Sequence, residues 1–75
     1  MQDIIQYTLD GRGYTIYYPV GNSEMYRVTS DKMQIGYIHV AEVNEDTGEN
    51  IWIGSNLESN ILAPELGRYI EEVNM

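Results

Sequence analysis

An α+β fold is predicted: an antiparallel sheet of about five strands, two hairpins in a meander, covered by one C-terminal helix. Three features of the sequence predict it. Up to about residue 54, apolar and polar residues alternate in short runs rich in Ile, Val, Thr and Tyr, the period-two pattern of half-buried strands. The runs are separated by short Gly-, Asn-, Asp- and Ser-containing clusters, which suit tight connections between antiparallel neighbours. Beyond Ser55 the spacing changes to that of a helix. The chain has 75 residues and no internal repeat or linker, so residues 1–75 are read as a single domain near the lower size at which one core suffices.

Taken in order, Asp3–Leu9 and Tyr14–Val20 form a first hairpin around Asp10-Gly-Arg-Gly13. A two-residue loop at Gly11-Arg12 would pair Leu9 with Tyr14, Tyr7 with Ile16 and Ile5 with Tyr18, placing all six on one face. The opposite face, with Ile4, Gln6, Thr8, Thr15 and Tyr17, is mostly polar. Pro19 removes a ladder donor and so ends the second strand or places it at an edge. Gly21–Glu24 is a turn, Met25–Thr29 a short third strand with Tyr26 and Val28 on one side, and Ser30–Lys32 a tight connection into the next hairpin.

That central hairpin organises the chain. Ile35, Tyr37, His39, Ala41 and Val43 alternate with Gly36, Ile38, Val40 and Glu42, and Asn50–Gly54 supplies the returning strand. The turn Glu45-Asp-Thr-Gly48 suits a three-residue loop closed by a left-handed Gly48, a conformation that only Gly accepts without a steric cost. The register that follows opposes Val43 to Ile51, Ala41 to Ile53 and Glu42 to Trp52, and it places Ser55 opposite His39. It gathers Val43, Ala41, Ile51 and Ile53 on the core face; a slip of one residue would invert every side chain.

Ser55-Asn-Leu-Glu58 has capping-box spacing, so a helical turn can begin at Asn56. Pro64 is best accommodated in a first turn, so the main helix is expected from about Ile61–Pro64, with Ser55–Asn60 as a loop or a separate short turn. Leu62, Leu66, Tyr69, Ile70 and Val73 share one helical face. Gly67 is expected to let the helix backbone approach the sheet closely.

Composition narrows function. Twelve acidic against four basic residues give a net charge of −8, which repels phosphate backbones and argues against direct nucleic-acid binding. A basic protein is the electrostatically favoured partner. The absence of Cys removes disulfides and thiolate metal sites and fits a cytoplasmic location. No apolar run approaches a membrane span, and the acidic start Met1-Gln-Asp3 lacks the basic region of a signal peptide.

Chemistry-bearing motifs are few. His39, the only His, lacks recognisable nucleophile and orienting partners, so no catalytic residue is assigned and an enzyme is not expected. Glu42, Glu45, Asp46 and Glu49 do not match a calcium-loop spacing, so neither metal nor cofactor is assigned. Gly11-Arg-Gly13 lacks the ending of a phosphate loop and leads into a strand, and no small-molecule substrate is evident. Seven Tyr and one Trp are the stronger signal, because such side chains are enriched at interfaces. Tyr17, Ile38, Val40 and Trp52 form a second sheet face that is apolar for open water, with Glu42 at its rim.

The expectation is therefore a small acidic, non-catalytic protein-binding or regulatory module acting through that aromatic face, with self-association into a homodimer as the simplest form. The alternative is an inhibitor that imitates nucleic acid, occupying a basic groove with carboxylates such as Glu42, Glu45, Asp46, Glu49, Glu65, Glu71 and Glu72. That alternative requires these groups to share one surface.

Overall fold

The computed structural model describes residues 4–74; the acidic start Met1–Asp3, and Asp3 as the opening residue of the first strand, lie outside them. Five strands, β1 (Ile4–Leu9), β2 (Arg12–Tyr17), β3 (Tyr26–Ser30), β4 (Met33–Val43) and β5 (Asn50–Gly54), precede one helix, α1 (Leu57–Val73). Every strand pairs antiparallel with its neighbour in sequence, in the order β1-β2-β3-β4-β5. The α+β meander under a C-terminal helix is thus the fold read from the period of the sequence. Helix α1 lies across β4 and β5 and touches β1 more lightly.

The first hairpin keeps its faces but not its register. The loop is Asp10-Gly11, with both residues at positive φ (52° and 81°), which is the turn whose twist matches paired strands. It sets Tyr7 opposite Tyr14 and Ile5 opposite Ile16, two residues away from the pairing expected around Gly11-Arg12. A slip of two leaves side-chain parity intact, so Ile5, Tyr14 and Ile16 are buried as expected. The β3–β4 turn is built alike, with Asp31 and Lys32 at φ 51° and 68°.

The central hairpin departs from expectation in a more consequential way. Val40 pairs with Trp52 and His39 with Ile53, but Glu42 pairs with Ile51, so Ala41 is an extra residue in a bulge. The extra residue reverses the alternation within one strand. Ile38, Val40 and Trp52 face the helix, whereas Ile51 and Ile53 are 39% and 37% exposed and Val43 lies at the margin, 53% exposed. The expected core face of Val43, Ala41, Ile51 and Ile53 is therefore corrected. The physical reason is Trp52: its indole lies against Gly67, where an added Cβ would overlap the ring, and seating it inward turns both flanking Ile outward. The Ser55 N–H donates to the Tyr37 carbonyl at 2.8 Å and Ser55 Oγ accepts the Tyr37 N–H at 3.0 Å, so Ser55 does not oppose His39. The loop is also one residue longer than expected, closed by Asn44 and Glu49, with Gly48 left-handed at φ 75°.

Helix α1 begins earlier than Pro64 suggested. Asn56 is its N-cap: the Asn56 side chain accepts the Ser59 N–H at 2.8 Å, and Ser59 Oγ accepts the Asn56 N–H at 3.1 Å. This reciprocal box sits one residue later than Ser55-x-x-Glu58 and holds the first turn strongly enough for Pro64 to lie inside the helix, on its exposed side. The buried face is Ser59, Ala63, Leu66, Gly67 and Ile70, rotated slightly from the expected one: Leu62 and Tyr69 are half-buried and Val73 is exposed. Leu66 and Ile70 complete a single core with Ile5, Ile16, Val28, Ile38 and Trp52.

Candidate functional site

In a meander the connections alternate between two ends of the sheet. The β1–β2 and β3–β4 turns, with the start of α1, form one end, called here the cap end. The β2–β3 and β4–β5 loops, with the end of α1, form the other. Chain order alone therefore carries Glu24, Glu42, Glu45, Asp46, Glu49, Glu71 and Glu72 to that second, acidic end. The Asn50 side chain donates to Glu71 Oε1 at 2.6 Å, tying the start of β5 to the last turn of the helix. Arg68 flanks this end beside Glu49 and Glu71.

The helix terminus sharpens the polarity. A helix carries partial negative charge at its C-terminus, where Lys or Arg is the stabilising choice. The last turn of α1 has no basic residue and instead presents Glu71 and Glu72. The cap end is different: Asp10, Asp31 and Glu58 stand with Arg12 and Lys32. Arg12 lies 3.8 Å from Glu58, the one ion pair among the described residues, and donates to Ser30 Oγ at 3.0 Å.

A groove of about 820 Å³ opens at the acidic end. Tyr26, Val40, Trp52 and Ile70 line it with apolar surface, while Glu24, Asn50, Glu71 and Asn74 give it polar groups. Tyr18, Tyr26 and Trp52 form a run of edge-to-face contacts, with ring centroids 5.8 and 5.6 Å apart. Burial pushes the Tyr26 hydroxyl above the ordinary tyrosine pKa, and neighbouring Tyr18 adds to the rise. The indole N–H of Trp52 is buried without a hydrogen-bond partner.

The residues singled out in the sequence part company. Ile38 is fully buried and Trp52 is 8% exposed, both beneath the helix, and Val40 is half-buried at the groove. The layer that covers this face is α1. Tyr17 lies on the opposite, open face with the Arg27 guanidinium 4.2 Å above its ring, and Glu42 is exposed opposite Ile51. His39, on the same open face, has a buried Nδ1 with no partner. Among the described residues no group of three or more His, Asp or Glu is placed to hold a metal ion, and no helix is long and apolar enough to cross a membrane.

Sequence reasoning missed Glu24, Tyr26, Asn50 and Glu71 as neighbours. The signal that finds them is the meander itself, because alternating connections fix which loops share an end. Compared with protein-family models, with curated proteins and with solved structures, the chain matches none.

Proposed function

We propose that this chain is a small, non-catalytic binding module whose acidic end receives a basic segment of another protein, with a cytoplasmic location that fits its lack of Cys. The observation that carries the reading is the unbalanced charge of that end: seven carboxylates and a helix C-terminus, against Arg68 at the flank and Arg27 on the open face over Tyr17. Such a field raises the association rate and affinity of a cationic partner and weakens with salt. Catalysis has little support, since His39 has no partner on Nδ1 to orient it. Self-association through Ile38, Val40 and Trp52 loses its basis, since the helix occupies that face.

Two matched triple variants test the reading against a capped lysine-rich peptide. Neutralising Glu45, Asp46 and Glu49 as Gln or Asn should weaken binding strongly at low salt. Neutralising Asp10, Asp31 and Glu58 removes the same charge from the cap end and should weaken it far less. Equal effects would mean that only net charge matters and would refute a located site.

The nucleic-acid-mimicking inhibitor is the second reading, favoured by one observation: Glu42, Glu45, Asp46, Glu49, Glu71 and Glu72 share one end. Glu65 is apart, accepting from the Tyr7 hydroxyl at 3.3 Å. Under this reading the chain displaces duplex DNA from a basic DNA-binding domain. Simultaneous binding of chain and DNA to that domain would exclude it.

A further inference from the structure

Resting on the reading that the acidic end receives a basic segment, we propose that the groove between β3, β5 and the end of α1 is a pocket for one arginine side chain of that segment. Diffuse attraction needs no cavity, whereas this end has one, and its lining is specific. Tyr26 and Trp52 supply aromatic surface, and Glu24 and Glu71 supply carboxylates.

A guanidinium is the cation that uses both. It is planar and weakly hydrated, stacks on aromatic rings and presents a fork of N–H donors that matches a carboxylate; a lysine ammonium is a compact, strongly hydrated point charge. The aliphatic stem of arginine would lie along Val40, which the fold leaves half-buried at the groove.

A second observation comes from Trp52 itself. The residue is more than nine-tenths buried, and its Nε1–H has no acceptor, although such groups are nearly always paired. An arginine side chain offers no acceptor, so the missing group is a main-chain carbonyl of the same peptide. The indole nitrogen is sealed from solvent in the free protein, so the carbonyl reaches it only when the lining of the groove opens. Glu71 is already held by Asn50, which keeps one carboxylate at the rim before any ligand arrives.

Trp52 is the only Trp, so its fluorescence and its single indole N–H resonance are read without interference from another indole. The probes are two capped peptides of alternating lysine and serine, one with a central arginine and one with a central lysine. The arginine peptide should bind about tenfold more tightly, the size of a favourable guanidinium–aromatic contact. It should also shift the indole N–H resonance downfield. Tyr26→Leu and Glu71→Gln should each abolish that preference, the second without altering the shape of the groove.

Equal affinity for the two peptides with an unmoved Trp52 signal would overturn the pocket while leaving the acidic end as a diffuse receptor. Failure of both peptides to bind at low salt would overturn the underlying reading as well.

Discussion

The two ends of the sheet are built by the same chain to opposite rules. At the cap end a connected set of polar side chains holds the start of the helix to the sheet. Asn56 and Ser59 close a reciprocal box, the Asn56 amide also donates to the Ile35 carbonyl at 2.8 Å, and Arg12 bridges Ser30 and Glu58. Ser59 is fully buried there against Gly36 and Gly54, where larger residues would collide with the start of the helix. At the acidic end the helix finishes on like charges, the loops add more, and an indole donor goes unpaired. Local consistency marks the parts that specify the fold, and its breakdown marks the part available for binding. Stability and recognition are thus separated along the length of one sheet.

Substitutions can break this contrast or sharpen it. Leu66→Ala sits beneath both ends and should cost about 2–5 kcal/mol in denaturant unfolding, because Leu66 is fully buried. A neutral result would mean that the helix is not seated on the core. Gly54→Ala puts a methyl group into the backbone of Ser59 and Asn60 and should cost about 1–3 kcal/mol, with peptide binding unchanged wherever the protein remains folded. Asn56→Ala removes the N-cap and leaves the Ile35 carbonyl without its amide partner, a loss of about 1–2 kcal/mol in the same assay.

The acidic end should respond in the opposite sense. Glu72→Lys relieves repulsion at the helix C-terminus and should stabilise the protein by about 0.3–1 kcal/mol, raising Tm, while weakening the lysine-rich peptide. Loss of stability in Glu72→Lys would show that this terminus is not electrostatically frustrated. Tyr26 gives a pH signature. Its folded pKa is raised, so its contribution to stability is intact below the ordinary tyrosine range and is lost as pH climbs through the folded value. Alkaline unfolding should therefore be milder in Tyr26→Phe, measured beside the appearance of tyrosinate absorbance.

Much of the fold was legible because local signals agreed. Period-two runs, turn residues and a late switch to helical spacing place five strands and a helix, and Gly67 shows that close approach can be read from a glycine inside a helical pattern. The register of the first hairpin was misplaced, yet harmlessly, since a slip of two preserves each face. The central hairpin was less forgiving. A bulge at Ala41 has no local signature, and it depends on how Trp52 fits against Gly67 of the helix, fifteen positions further along the chain, rather than on the strand. Pro64 misplaced the start of the helix because a sound local rule was overridden by the capping box at Asn56. The site itself was half legible: its charges and Trp52 are plain in the sequence, but their meeting at one end follows only when strand order and chain direction are combined.

The central claim is that binding is confined to the acidic end. Its most direct test is a residue-resolved map of backbone amide shifts during titration with a capped lysine-rich peptide at low salt, repeated at high salt. The account predicts shifts concentrated in residues 22–25, 42–50 and 70–74, fading together as salt rises, with the cap end silent. Shifts centred on Tyr17, Tyr37 and Ile53 of the open face, or spread evenly over both ends, would contradict it.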